Sequence, residues 1–416
     1  MKYSIFNTYL KISEKTAVIY NSLRDKAVFS DADSLRNLIE NNSQDVDSHI
    51  ASVAFVDDAY NEYECYIHDV SAIENQTVAY HLIINPTLEC IFSCWYCYEH
   101  HGKGRMREEV IERIKKFIVN LSDKYESLTI SFFGGEPLMC YNSVILPVVK
   151  YAYDTFFAKG KTFTFNMTSN GYLLTEDRIL KMKQYGFVGA QITIDGDREI
   201  HNRTRFLFGN RPTYDRIIGN IKLLAENDCY VTLRLNCTHD NIVSFYSLSE
   251  SLNDLSDKAR NKIAIDCHIV WQEKEKKLLQ QKQHGLIAHL FKHRLKASKM
   301  DFRQLCYADK RAQCVVNFNG DIYKCTAIDF QNVQRDGFLS DDGKLIWENN
   351  SLERRMQSKT KNERCKSCRV LPLCHGGCSS RALEAEDGYC LYPLEDEKDQ
   401  MVINRLEYIL TMKRYE

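Results

Sequence analysis

Short apolar runs alternate with longer amphipathic stretches along the middle of the chain. The runs are AYHLIIN (79–85), LTISFF (128–133), FTFNMT (163–168), AQITID (190–195), VTLRLN (231–236) and IAIDCHIV (263–270), each with the length and the β-branched or aromatic content of a strand. Between them stand REEVIERIKKFIVNLSDKY (107–125), TEDRILKMKQY (175–185) and TYDRIIGNIKLLAEN (213–227), where apolar positions recur at helical spacing. Thr175 is placed to cap the second of these helices. Such alternation predicts an α/β fold with a parallel sheet and right-handed crossovers, here a partial (β/α)6 barrel over residues 79–300. In barrels of this kind the chemistry gathers at the C-terminal ends of the strands.

The flanks read differently. In residues 1–78, YSIFNTYLKI and TAVIYNSLRDKAVFS predict two or three strands. DADSLRNLIENN predicts a capped helix and DSHIASVAFVDDAYNEYEC a second one, so the segment is expected to be a small α+β module. Residues 301–392 are loop-rich with little apolar periodicity, as in a domain that needs metal to fold. Residues 393–416 carry a final amphipathic helix, over 393–415, whose acidic start and basic end suit its dipole. EKEKK (273–277) and KHRLKASK (292–299) read as solvated helix faces.

Composition narrows the class. Apolar residues make up 44% of the chain, enough for a substantial core, and 55 basic residues nearly balance 56 acidic ones. No global field calls for nucleic acid or an anionic membrane surface. There is no long apolar run of transmembrane type, and MKYSIFNTYLKISEK lacks the apolar stretch of a signal peptide, so a cytoplasmic location is expected. Disulfides are rare there, and 16 cysteines then point to metal or redox chemistry.

The sharpest pattern is CIFSCWYC, which places Cys90, Cys94 and Cys97 in one short loop after the first barrel strand. Three thiolates are one short of a closed tetrahedral site. A four-iron cubane usually takes four cysteines, so three leave one iron open to a small molecule. A zinc site missing a partner is the alternative, but the spacing lacks the paired cysteines of zinc knuckles. Three further motifs fall at successive strand ends: GGEP (134–137), SNG (169–171) and DGD (195–197). Each alone reads as a turn; in this order they line one rim.

CIFSCWYC resembles the CxxxCxΦC signature of radical S-adenosylmethionine (SAM) enzymes, with Tyr96 as the aromatic before the last cysteine. The resemblance implies that SAM chelates the open iron of a [4Fe-4S] cluster and is cleaved to a 5′-deoxyadenosyl radical, which abstracts hydrogen from carbon. It also implies SAM contacts along the rim. Gly134 and Gly135 would allow close backbone approach, Glu136 would meet the SAM amine, and Ser169 and Asn170 would face its ribose or carboxylate. Thr193 and Asp195 resemble family positions near the same cofactor, and Tyr96 would add a backbone contact to adenine while excluding water. Arg205 is a candidate for the SAM carboxylate, with Arg203 and Arg216 open as alternatives.

Eight more cysteines follow residue 300. Cys306, Cys314, Cys325, Cys365, Cys368, Cys374, Cys378 and Cys390 resemble the SPASM extension of peptide-modifying radical SAM enzymes, with one cysteine added to its seven. This implies two auxiliary [4Fe-4S] clusters and three clusters in all. Cys306, Cys314, Cys325 and Cys378 would hold the first auxiliary cluster, and Cys365, Cys368, Cys374 and Cys390 the second. A zinc ribbon is the competing reading for Cys365 and Cys368 taken alone. His375, between two ligands, could tune a potential by hydrogen bonding. Cys65, Cys140, Cys229, Cys237 and Cys267 read as structural, with Cys267 able to face the barrel cavity.

The resemblance covers residues 80–392. It implies an oxidoreductase that takes a precursor peptide as substrate and draws electrons from a donor such as flavodoxin or ferredoxin. The expected reaction is a thioether or carbon–carbon cross-link in a ribosomally made peptide; no catalytic acid or base is singled out. The 1–78 module resembles leader-peptide recognition elements in layout, the alternative being a structural apron on the barrel. Anaerobic sulfatase maturases are the first rival. Members of that family carry Asp directly after the cysteine matching Cys325, where this chain has Thr326 and the nearest acid is Asp329. A binding protein without catalysis is the second rival, opposed by the intact cysteine loop and Glu136.

Overall fold

The computed structural model describes residues 1–41, 47–297, 305–359, 362–385 and 389–413. The chain forms two units: Met1–Gln76, Met300–Arg311 and Leu352–Glu416 make one, Thr77–Lys299 and Ala312–Ser351 the other. The segment expected as one cluster domain, 301–392, is divided between them, and residues 1–76 share a unit with the last helix.

In the first unit, strands β1 (Lys2–Tyr3), β2 (Asn7–Lys11), β3 (Thr16–Asn21), β4 (Lys26–Asp31) and β5 (Phe55–Val56) form a pair, β1–β5, and an antiparallel sheet in the order β2-β3-β4. The stretch expected to be a single second helix is instead two helices and a strand: Ser48–Ala54, then β5, then Glu62–Glu74. Two local signals interrupt it. Phe55 and Val56 are buried and pair with Tyr3 and Lys2, and Asn61 restarts the helix by accepting a hydrogen bond from Glu64 N at 3.3 Å. One face of the β2–β4 sheet, with Ala17, Ile19 and Val28, packs on Leu35, Leu38 and Val53 of the flanking helices. The other face, with Leu10, Val18 and Tyr20, packs on Val370, Leu373, Val402 and Leu406. The last helix (Glu395–Lys413) therefore packs with both Val370 and Leu373 and the N-terminal sheet; residues 414 and 415 of its expected span lie outside the described residues. A buried ion pair, Arg405 Nη2 to Asp25 Oδ2 at 2.5 Å, fixes it there.

In the second unit all six expected strands form: β6 (Ala79–Ile84), β7 (Ser127–Phe132), β8 (Thr162–Ser169), β9 (Phe187–Ile194), β10 (Tyr230–Cys237) and β11 (Ile263–Ile269). They pair in parallel in sequence order. A short β12 (Lys296–Ala297) extends the β11 edge, and β13 (Gln313–Val316) extends the β6 edge. Beyond β13 come antiparallel β14 (Asp321–Tyr323), β15 (Gly337–Leu339) and β16 (Leu345–Trp347). The alternation within a strand gives the sheet two faces. On β8, Phe163, Phe165 and Met167 are buried among the outer helices, while Thr164, Asn166 and Thr168 are half-buried on the opposite face. Thr175 caps the helix Glu176–Lys183 by accepting from Arg178 N at 3.3 Å. Although β6 and β11 end the six-strand run, the loops after them meet: the rings of Tyr98 and Trp271 lie 5.0 Å apart, and Gln272 Nε2 donates to Tyr96 O at 2.9 Å. The run is thus curled, with its polar face inside, as an open partial barrel.

Candidate active site

The four rim motifs meet at the C-terminal ends of β6 to β9. The cluster loop and GGEP are joined through backbone: Gly135 N donates to Thr87 O at 3.2 Å and Glu136 N to Glu89 O at 2.8 Å. The glycines are required by that approach. A Cβ on Gly135 would stand 2.2 Å from Glu89 O, and Gly134, at φ +99°, would bring one within 2.5 Å of Thr87 O. What the glycines let close in is therefore the cluster loop itself.

Glu136 is fully buried and ties GGEP to SNG. Its Oε1 accepts from Leu138 N at 3.0 Å and Ser169 Oγ at 2.9 Å, and its Oε2 from Asn170 N at 2.8 Å. Burial pushes its carboxyl up to about 7, against the pull of those hydrogen bonds. Asn170 Nδ2 lies 3.9 Å from Cys90 Sγ, so SNG also reaches the cluster loop. Thr193 is buried near the end of β9, two residues before Asp195.

Tyr96, Asp195 and Arg205 form a closed trio. Tyr96 Oη donates to Asp195 Oδ2 at 2.5 Å, Arg205 Nε donates to the same oxygen at 2.8 Å, and Arg205 Nη2 donates to Tyr96 Oη at 2.6 Å. Asp195 Oδ1 is buried without a protein partner, as an acceptor kept for a ligand hydroxyl would be. The other candidate arginines lie outside the trio. Arg203 is exposed and 3.7 Å from Glu199, and Arg216, also exposed, donates to Tyr172 O at 2.8 Å.

Cys90 and Cys94 are half-buried and Cys97 is exposed. Burial pushes the Cys90 thiol up to about 12 and raises the other two as well; the Arg205 guanidinium acts in the opposite direction on all three. The three thiols and one cation thus share a site, and the residues present fit a cluster with an open iron.

The sequence reading passed over three residues of this site. His201, in HNRTR, is fully buried, accepts from Asp195 N at 3.4 Å and is pushed down to about 3 by burial, so it is held neutral. Asn241 Nδ2 donates to Asp195 O at 3.1 Å, and Gln272 holds Tyr96 O as described. HNRTR was legible as a motif, but only its arginines carried a charge to reason from. Asn241 and Gln272 gave no signal. His100, just past the cluster loop, is exposed with Nδ1 2.8 Å from Asp329 Oδ2.

The remaining cysteines divide into distinct settings. Cys365, Cys368, Cys374 and Cys390 line one cavity of about 60 Å³ with Tyr389, Tyr392 and Lys398. Their thiols act on one another: burial, followed by Cys368, Cys374 and Cys390, pushes Cys365 up to about 11. The four thiols thus share one cavity. His375 Nδ1 lies 2.7 Å from Tyr66 Oη beside them. Cys306 and Cys378 are exposed and Cys325 is half-buried. Cys314 differs from all of these. It is fully buried on β13 in register with Leu82, inside the apolar core with Tyr80, Leu82 and Phe117. Besides burial, its thiol is acted on by the Tyr80 hydroxyl and the Lys324 ammonium and by no cysteine.

Residues 84–251 match the model of the Radical SAM superfamily. Those residues form a radical SAM domain, and the chain is an enzyme. It is 23% identical over 337 residues to a cysteine-type anaerobic sulfatase-maturating enzyme of Clostridium perfringens, spanning 71% of this chain and 88% of that protein. Among solved structures, native anSMEcpe with bound AdoMet and Cp18Cys peptide matches at TM-score 0.59 and 19% identity, over 81% of this chain and 99% of that one. Streptococcus suis SuiB bound to precursor peptide SuiA matches at TM-score 0.53 and 14% identity, over 93% of this chain and 97% of that one. At these identities the structural likeness concerns the fold.

Proposed function

We propose that the protein is a SAM-dependent maturase that removes hydrogen from a peptide to install a cross-link. The observation that carries this reading is the convergence of Cys90, Cys94 and Cys97 with Glu136, Asn170 and Asp195 on one barrel rim. With cluster and SAM bound, that rim supplies a 5′-deoxyadenosyl radical. The chain's own residues do the positioning. Glu136 presents a buried carboxylate toward the SAM amine, Asp195 Oδ1 offers an acceptor, Ser169 and Asn170 hold Glu136 in place, and Gly134 and Gly135 seat the cluster loop. Thr193 and the Tyr96 backbone complete the contacts. The polar inner face of the sheet, including Thr168, Arg234 and Asp266, suits a hydrated peptide segment over an aliphatic one.

Cys365, Cys368, Cys374 and Cys390 are assigned a complete auxiliary [4Fe-4S] cluster. A second auxiliary cluster is proposed from the remaining cysteines after residue 300, apart from Cys314, whose core setting suits a packed thiol. The β2–β4 sheet has β2 and β4 at its edges, and strand addition there is the proposed mode of leader binding. A flavodoxin- or ferredoxin-type donor would deliver the electrons.

Formylglycine formation is the second reading, favoured by the match to a sulfatase-maturating enzyme over 71% of the chain. Thr326 in place of the acid expected after Cys325 weighs against it. Anaerobic reconstitution should load about twelve iron per chain, with about four lost when Cys90, Cys94 and Cys97 become Ala. Co-expression with precursor peptides encoded nearby, read by tandem mass spectrometry, decides between the readings. Loss of two hydrogens with a bond between two side chains supports cross-linking. A single Cys or Ser converted to an aldehyde overturns it, and absence of SAM cleavage overturns both.

A further inference from the structure

We propose that Arg205 is a positioning residue, which brackets the cluster loop to the end of β9 through the Tyr96 hydroxyl and the Asp195 carboxylate. The inference rests on the cluster assignment to Cys90, Cys94 and Cys97. Arg205 is held along its whole length. Its N–H donates to His201 O at 2.7 Å, its carbonyl accepts from Thr213 Oγ1, and its Nε and Nη2 are taken by Asp195 and Tyr96. Its guanidinium also lies 5.8 Å from the centre of the Tyr96 ring. A planar fork that satisfies a carboxylate and a hydroxyl together is a task for Arg rather than Lys.

The partner chosen on the cluster loop matters. Tyr96 stands between Cys94 and Cys97, in a turn closed by Cys97 N donating to Cys94 O at 3.0 Å. Fixing its hydroxyl fixes the spacing of two sulfurs. Asp195 follows β9, three strands from β6 in the sheet, so the trio joins rim segments that no backbone hydrogen bond connects directly. The neutral His201 beneath adds no competing charge. Within the trio, Asp195 Oδ1 is buried without a protein partner.

The test uses reconstituted holoenzyme and its Arg205→Gln and Arg205→Lys variants. Three quantities are read: SAM dissociation constant by calorimetry, iron release to a chelator, and midpoint potential of the EPR signal that SAM perturbs. Removing one charge-assisted hydrogen bond pair should speed iron release by about tenfold in Arg205→Gln. The potential should move negative, since a nearby positive charge favours the reduced cluster, while SAM affinity stays within about threefold. Arg205→Lys should restore the potential but not the iron retention. If Arg205→Gln does not fold, Tyr96→Phe removes the hydroxyl alone and should also speed iron release without weakening SAM. A loss of SAM affinity of tenfold or more with unchanged potential and iron retention overturns the inference. A parent protein whose SAM-perturbed signal survives replacement of Cys90, Cys94 and Cys97 would instead overturn the cluster assignment.

Discussion

Glu136 is a fully buried carboxyl group, and its hydrogen bonds explain how it remains there. It accepts from two backbone amides and the Ser169 hydroxyl, so it is a staple between loops, and by the proposed function it also meets the SAM amine. Glu136→Ala should raise the SAM dissociation constant about ten- to hundredfold, the worth of roughly 1.5–3 kcal/mol for a hydrogen bond to a charged group. Iron content should hold, because Glu136 is proposed to meet SAM and is no part of the assigned cluster ligands. An unchanged constant by calorimetry would leave Glu136 a staple only. Cys314 gives the converse expectation. Cys314→Val should keep its full iron and sulfide content, whereas Cys325→Ser should lose about four iron. Loss of a cluster from folded Cys314→Val would return Cys314 to the ligand set.

At the level of elements, the rim works because loops after β6, β7, β8 and β9 are joined to each other rather than left as separate turns. The joint between the first two is the most sensitive to size. A methyl group on Gly135 meets two backbone oxygens, Glu89 O at 2.2 Å and Leu88 O at 2.5 Å, and neither can rotate away. Gly135→Ala should therefore displace the cluster loop, cut bound iron by about one cluster and abolish SAM binding, with far-UV circular dichroism unchanged. Normal iron and SAM binding would mean that the loop can shift as a body. In the N-terminal sheet, β4 lies at an edge, so Pro placed along Lys26–Asp31 removes backbone donors without cutting a central ladder. Peptide binding should fall for at least one folded variant. If all bind normally, the sheet is structural.

For the whole molecule, pH enters through a half-buried carboxyl group. Glu74 is pushed up to about 7, first by burial and then by Asp309, with Lys359 and Arg311 acting the other way. Its folded value lies above the ordinary 4.5, so the folded state keeps a proton that the unfolded chain releases. The stability this provides is complete below 4.5 and lost as pH rises through about 7. Glu74→Gln cannot ionise and should raise Tm by about 2–4 °C at pH 8 and leave it unchanged at pH 4. Because the group is only half buried, screening sets an upper limit on the shift. A Tm difference that is the same at both pH values would remove Glu74 as the cause.

The sequence by itself determined what local spacing can encode. The six barrel strands follow from runs of apolar residues, and Thr175 from its place before a helical pattern. The cysteine loop follows from a spacing that lets three sulfurs reach one cluster. The same is true of GGEP and SNG as rim motifs, since each stands directly after a strand. Tertiary structure alone decided which groups meet across long separations. Arg205 reaches Tyr96, 109 residues away, and spacing could not choose it over Arg203 or Arg216 as the buried one. The count of eight cysteines could not show that Cys314 turns into the core, because that depends on β13 pairing in register with β6. Nor could periodicity divide the 47–65 stretch, where β5 exists only because β1 lies beside it. A short segment carries its own propensity, whereas a buried charge or thiol takes its role from neighbours that only folding brings to it.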